Sequence, residues 1–211
     1  MAKATESFNF QEIFDTANSS GYKKQEHLTE TLVDAKIDDL NTFLSSHPVE
    51  DEILHLTAKD LEKTKYKFLA SSVMRKNNPN ATLYDLICAS INGDSKLIRS
   101  YFSVDSGGNL KGFVAIIVGG NEVLGIKMFS FNADKNNPTL AGDLEKLLPE
   151  LLKKYKVVKW DASKYNPANK RYKEFTDKYG GEVKPYTEKD EDTGLEEEMI
   201  QYVIESKEDT E

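Results

Sequence analysis

The sequence predicts an α+β protein, with helices layered as α/β/α around a mixed, mostly antiparallel sheet of about seven strands. Two patterns predict it. Three runs rich in β-branched and aromatic residues, 97–104, 110–118 and 123–131, are separated by short Gly/Asn linkers of the kind that join antiparallel hairpins. A helical pattern over 140–155 then separates the last of them from a further strand at 156–162. A strand, helix, strand connection of this kind brings parallel neighbours into one sheet.

The elements follow in order. Val33, Ile37, Leu40 and Leu44 recur at helical spacing, so residues 1–50 read as a helical N-terminal extension. Its apolar stripe is expected either to cover the main domain or to take a protein partner or a second copy. The main domain is expected over 51–205, and 206–211 as an acidic, disordered tail. Residues 52–56 are short and apolar enough for a strand. Thr57-Ala-Lys-Asp60 supplies a helix start, with a helix expected to about Lys76. Asn77-Asn-Pro-Asn80 breaks it, and Thr82-Leu-Tyr-Asp85 repeats the start signal for a helix ending at Gly93.

After the three strands, Leu140, Leu144, Leu147, Leu148, Leu151, Leu152 and Tyr155 share one helical face, with Pro149 an expected kink. The next helix is marked by Asn166 as cap and Pro167 in its first position. Ala168, Tyr172, Phe175 and Tyr179 share its face, and Gly180-Gly181 is its stop. Residues 182–187 and 195–204 close the domain as a hairpin.

Charge and composition exclude several functions. Lys and Arg number 28 against 36 Asp and Glu, a net charge of −8 in 211 residues, which is the wrong balance for a duplex nucleic-acid binder. The excess is local: residues 188–211 hold eleven acids and two lysines, whereas 141–187 hold eleven bases and seven acids. No apolar run reaches the roughly 18–20 residues of a membrane helix, and the N-terminus lacks a secretory layout, so a cytoplasmic protein with no membrane partner is expected. The single cysteine, Cys88, allows no internal disulfide and fits a reducing compartment. His27, His47 and His55 show neither metal-ligand spacing nor a partner nucleophile, so no metal is expected.

The element order, together with Tyr165-Asn-Pro-Ala-Asn-Lys-Arg-Tyr-Lys-Glu-Phe-Thr-Asp-Lys-Tyr-Gly-Gly181, resembles the GNAT acetyltransferase superfamily over about residues 52–204. The resemblance implies a GNAT-like sheet with one splayed strand pair, the strands at 123–131 and 156–162. It implies acetyl-CoA, or another acyl-CoA, inserted between them against the backbone of Met128, Phe129, Ser130 and Phe131. The pyrophosphate would meet the amides of Thr139, Leu140, Ala141 and Gly142, where unpaired N–H groups and the helix dipole favour an anion. The chain departs from the family's Gly-rich phosphate loop: Asn136-Asn-Pro-Thr-Leu-Ala-Gly-Asp143 stands in its place, with Asp134 and Asp143 of the wrong sign beside the phosphates.

The resemblance also implies an activity, transfer of the acetyl group to a primary amine by direct attack. The alternative is a GNAT-fold binding protein without catalysis. Direct transfer needs a base for the amine, donors for the oxyanion and an acid for the departing thiolate. Tyr172 is the candidate acid, its ordinary pKa near 10 being close to that of an alkyl thiol. Core packing is the competing role for Tyr172. Asn166 is a candidate pantetheine ligand as well as a cap. Glu122 and Asp161 are the candidate bases. Lys153, Lys154, Lys164, Lys170 and Arg171 are expected to favour the CoA phosphates, and Asp190, Glu191 and Asp192 a cationic acceptor.

Overall fold

The computed structural model describes residues 32–47, 52–64, 66–70, 72–93, 97–104, 107, 109–131, 139–189, 191 and 194–206. In chain order these form β1 (Leu32–Asp34), α1 (Ile37–Ser46), α2 (Glu52–His55), α3 (Ala58–Leu61), a 3-10 turn (Lys67–Leu69), α4 (Ser72–Asn77) and α5 (Leu83–Ile91). There follow β2 (Ile98–Val104), β3 (Leu110–Gly119), β4 (Glu122–Ser130), α6 (Thr139–Lys154), β5 (Val157–Ser163), α7 (Asn169–Lys178), β6 (Glu182–Lys189) and β7 (Glu196–Glu205).

The seven strands make one sheet in the order β1-β2-β3-β4-β5-β7-β6. Only β4 and β5 are parallel; every other neighbouring pair is antiparallel. Side chains alternate across the strands and load both faces. Tyr101, Val114, Ile116, Val158 and Trp160 pack with Leu144, Leu148 and Leu151 of α6 and with Tyr172 and Phe175 of α7. On the other face Phe102, Phe113 and Phe129 meet Leu40 and Phe43 of α1, Leu54 of α2, Leu61 of α3 and Ile87 of α5. The helical stripe at 37–44 therefore covers the domain.

Three expectations about local structure change. Val33 belongs to β1, opposite Phe102 of β2, so the first strand and α1 are integral to the sheet and its core. The span 1–50 is thus not wholly a helical extension, and residues 1–31 and 48–50 lie outside the described ones. Residues 52–55 are helical rather than a strand, burying Leu54 against the core helices. The long helix expected over 57–76 is instead α3, the 3-10 turn and α4. Its start signal is real: Thr57 Oγ1 accepts the Asp60 N–H at 3.1 Å.

The remaining helix signals fold as read in part. Thr82 and Asp85 cap each other at the start of α5, each side chain accepting the other's backbone N–H. Helix α6 continues through Pro149. Asn166 does not cap α7, and Pro167 is not its first residue: the helix starts at Asn169 with Ala168 as its cap, and Asn166 Oδ1 instead closes a turn before it by accepting the Ala168 N–H at 2.9 Å. At its other end Gly180 adopts φ +69°, and the N–H groups of Gly180 and Gly181 return to the carbonyls of Asp177 and Thr176, a Schellman stop. Gly181 has a separate requirement, since a Cβ there would lie 2.4 Å from the Val203 carbonyl oxygen.

Candidate active site

The site begins where β4 and β5 part. Their ladder consists of Glu122 opposite Val157 and Val123 opposite Val158, and no register joins the strands further on among the described residues. A bulge sits at the same place. Val118 lies opposite Val123, but Ile117 lies opposite Gly125, so Leu124 is an extra residue in β4. Bulges bend and twist their strand, and this one coincides with the end of the β4–β5 ladder.

The direction of the β4 backbone follows from one bond. Phe131 N–H donates to the Lys111 carbonyl at 2.9 Å. Because an antiparallel ladder alternates its bonding residues, Phe129 and Phe131 turn their polar groups toward β3, while Met128 and Ser130 turn theirs toward the β5 side. Of the four residues expected to offer amides to a cofactor, only Met128 and Ser130 aim them into the fork. Phe131 spends its N–H on β3, and its ring is in the core.

Tyr172 stands behind the fork on the α6/α7 face. It is 5% exposed, with its ring edge-on to Trp160 at 6.1 Å and to Tyr202 at 5.5 Å. Burial, and secondarily the neighbouring Tyr202, hold its hydroxyl protonated far above the ordinary tyrosine range. The Tyr202 hydroxyl donates to Asn169 Oδ1 at 3.1 Å, whereas that of Tyr172 has no partner among the described residues. Trp160 Nε1 is buried and without a partner among the described residues. Asn166 Oδ1 takes the Ala168 N–H in the turn before α7, leaving Nδ2 unpartnered among the described residues.

Glu122 and Asp161 lie on the opposite face. Glu122 Oε2 accepts from Lys159 Nζ at 3.0 Å, at the closed end of the fork. Asp161 shares Lys159's face of β5, three residues beyond Val158, the last residue of the ladder. Its Oδ1 accepts from the Tyr186 hydroxyl at 3.1 Å and from Gln201 Nε2 at 3.2 Å. The two candidate bases are therefore brought to one face of the sheet, and the candidate acid to the other.

The expected anion end is the start of α6. Leu140 and Ala141 are buried, so only their backbone is available to a ligand. Gly142 lies beneath Arg171, whose Nη2 is 3.3 Å from where a Cβ would be. Residues 132–138, including Asp134 and Asn136 to Pro138, lie outside the described residues. Asp143 does not oppose an anion there: it turns inward, 4% exposed, and pairs with Lys111 Nζ at 3.2 Å. Asp190 and Asp192 also lie outside the described residues. Sequence reasoning missed Lys111, Tyr186 and Gln201, whose roles come from long-range register that no local pattern announces.

The features present fit an acyl-CoA: a parting of β4 from β5, an Asn166 Nδ2 without a partner among the described residues, and Arg171 over Gly142 in the first turn of α6. No family model and no curated protein sequence matches the chain. Solved structures do. The spermidine N-acetyltransferase of Vibrio cholerae, in complex with CoA and spermine, gives a TM-score of 0.55 at 14% identity, covering 83% of this chain and 95% of its own. A chimera of that enzyme gives 0.54 at 15% identity over 83% and 96%. A structure assigned as a phosphinothricin N-acetyltransferase gives 0.51 at 13% identity over 84% and 99%. The chain has the GNAT fold.

Proposed function

We propose that this protein is an N-acyltransferase that moves the acetyl group of acetyl-CoA, or the acyl group of another acyl-CoA, to a primary amine. The fork carries this reading. Met128 and Ser130 aim backbone groups into it, and it separates the Tyr172 side of the sheet from the Asp161 side. When bound, acyl-CoA supplies the thioester.

The chain's residues then divide the work. Asp161, held by Tyr186 and Gln201, receives the proton that the amine loses. The N–H of Met128 stabilises the developing oxyanion. Tyr172, already protonated, returns a proton to the departing sulfur. Glu122 stays paired with Lys159 and fixes the closed end of the fork. The Thr139–Gly142 amides and Arg171 take the diphosphate, with the unpartnered amide of Asn166 directed at the pantetheine arm.

The acceptor side favours a cation. Glu188 lies directly opposite Glu197 across β6 and β7, a repulsive arrangement that a positive ligand relieves. Asp161, Glu188 and Glu197 all act on Tyr186, raising its pKa after the larger effect of burial. The test is an acyl-transfer assay with acetyl-CoA and a panel of amines. Release of free thiol that depends on a cationic amine supports the reading. Tight CoA binding with no release for any amine would make this a GNAT-fold binding protein.

A further inference from the structure

Lys111 is placed by a second bulge. In the β2–β3 ladder Ser103 lies opposite Gly112 and Val104 opposite Leu110, so Lys111 is an extra residue in β3. A bulge puts two successive side chains on one face. Leu110 belongs to the core cluster of α1 and α5, Gly112 faces Leu140 of α6, and Lys111 reaches Asp143 of α6. Without the bulge, strand alternation would send the Lys111 ammonium to the face opposite Gly112.

The Lys111 ammonium there meets a built cluster. Asp143 Oδ2 accepts from Lys111 Nζ at 3.2 Å and from Ser103 Oγ at 2.7 Å, and Ser103 is 0% exposed. An ion pair removed from water holds its geometry only if its remaining lone pairs are satisfied, which Ser103 provides. Gly112 brings α6 close: a Cβ there would lie 2.9 Å from the Leu140 side chain and 2.5 Å from the Phe129 carbonyl oxygen. The same Lys111 accepts the Phe131 N–H through its own carbonyl. One residue thus holds the end of the β4 edge by its backbone and the first turns of α6 by its side chain.

We infer that Lys111, with Asp143 and Ser103, is a positioning cluster. It fixes the separation between the Met128 and Ser130 edge and the helix start that takes the diphosphate, and so sets affinity for the phosphate end of the ligand. This rests on the proposed acyl-CoA reading. None of the three residues needs to touch the ligand.

The test compares two acyl donors in the full chain: acetyl-CoA, and S-acetylpantetheine, which lacks the diphosphate. Asp143→Asn is expected to weaken CoA binding about tenfold, the scale of one charge-assisted hydrogen bond, while leaving kcat/KM for S-acetylpantetheine within about twofold. Ser103→Ala, which removes one neutral partner and keeps the ion pair, is expected to shift CoA affinity the same way by about threefold. It keeps the comparison available if Asp143→Asn does not fold. Parallel loss with both donors would show a merely structural cluster and overturn the inference. So would unchanged CoA affinity in folded variants while the wild type binds CoA. A wild type that binds no CoA would overturn the acyl-CoA reading itself, and the inference with it.

Discussion

Trp160 of β5 and Tyr172 of α7 meet edge to face, with ring centroids 6.1 Å apart and planes at 83°. The contact holds the tyrosine ring rigidly while its hydroxyl is left unpartnered among the described residues. Packing and the proposed proton transfer therefore fall on separable parts of one side chain. Tyr172→Phe keeps the ring and removes the acid. It is expected to lower kcat about a hundredfold, the lower range for a general acid, with CoA affinity and melting temperature nearly unchanged. Steady-state kinetics and a thermal melt check this. Unchanged turnover would leave Tyr172 with a packing role alone.

Asp161 and Glu122 share a face but differ in position. Glu122 is at the closed end of the fork and paired with Lys159, whereas Asp161 is beyond the ladder. Asp161→Asn is expected to lower kcat/KM for the amine about a hundredfold, and Glu122→Gln less than about fivefold. Amine-dependent kinetics at fixed acetyl-CoA decide between them. The reverse order would assign Glu122 as the base.

Arg171 lies over Gly142 and is held by Glu145, Nη2 to Oε2 at 3.3 Å. An anion at the helix start must compete with that carboxylate. Arg171→Ala is expected to weaken CoA binding by about tenfold, and Glu145→Gln to tighten it by a few-fold. Both effects should shrink with added salt. Calorimetry at two ionic strengths measures them, and equal weakening by the two variants would contradict the arrangement.

Burial raises the pKa of Tyr172, and raises those of Tyr101 and Tyr202 to about 12 each. The unfolded chain ionises these phenols near the ordinary value of 10, so above it the unfolded state holds fewer protons than the folded one and stability falls as pH rises. Their contribution is intact below pH 10 and is progressively lost above it. Alkaline titration followed by circular dichroism is expected to show unfolding accompanied by tyrosinate absorbance, with a higher onset pH for Tyr172→Phe. Ionisation of all tyrosines before any loss of structure would contradict the burial.

The sequence announces this fold where short-range physics decides it. Thr82 and Asp85 satisfy each other's backbone within one turn, and Gly180-Gly181 ends α7 for reasons local to that turn and its contact with β7. It misleads where a short apolar run has two solutions. Ile53, Leu54 and Leu56 suit a strand as well as a helix, and only packing against α5 selects the helix. Val33 matches a helical spacing by coincidence and pairs with β2 instead. In the candidate site, the burial of Tyr172 on one helix face was legible from periodicity, whereas the pattern puts the helix start too early, at Pro167 rather than Asn169. The amides of Met128 and Ser130 were legible only as a stretch, because which of them face the fork depends on register with β3. Lys111 gave no signal, since a bulge is a mismatch between two strands and leaves no mark on either alone.

The central claim is that the β4–β5 fork binds the acyl donor. Isothermal titration of the full-length protein with acetyl-CoA tests it most directly. The account predicts saturable binding of one acetyl-CoA per chain, weakened by Arg171→Ala and retained in Tyr172→Phe. An absence of heat and of thermal stabilisation with any acyl-CoA would contradict it.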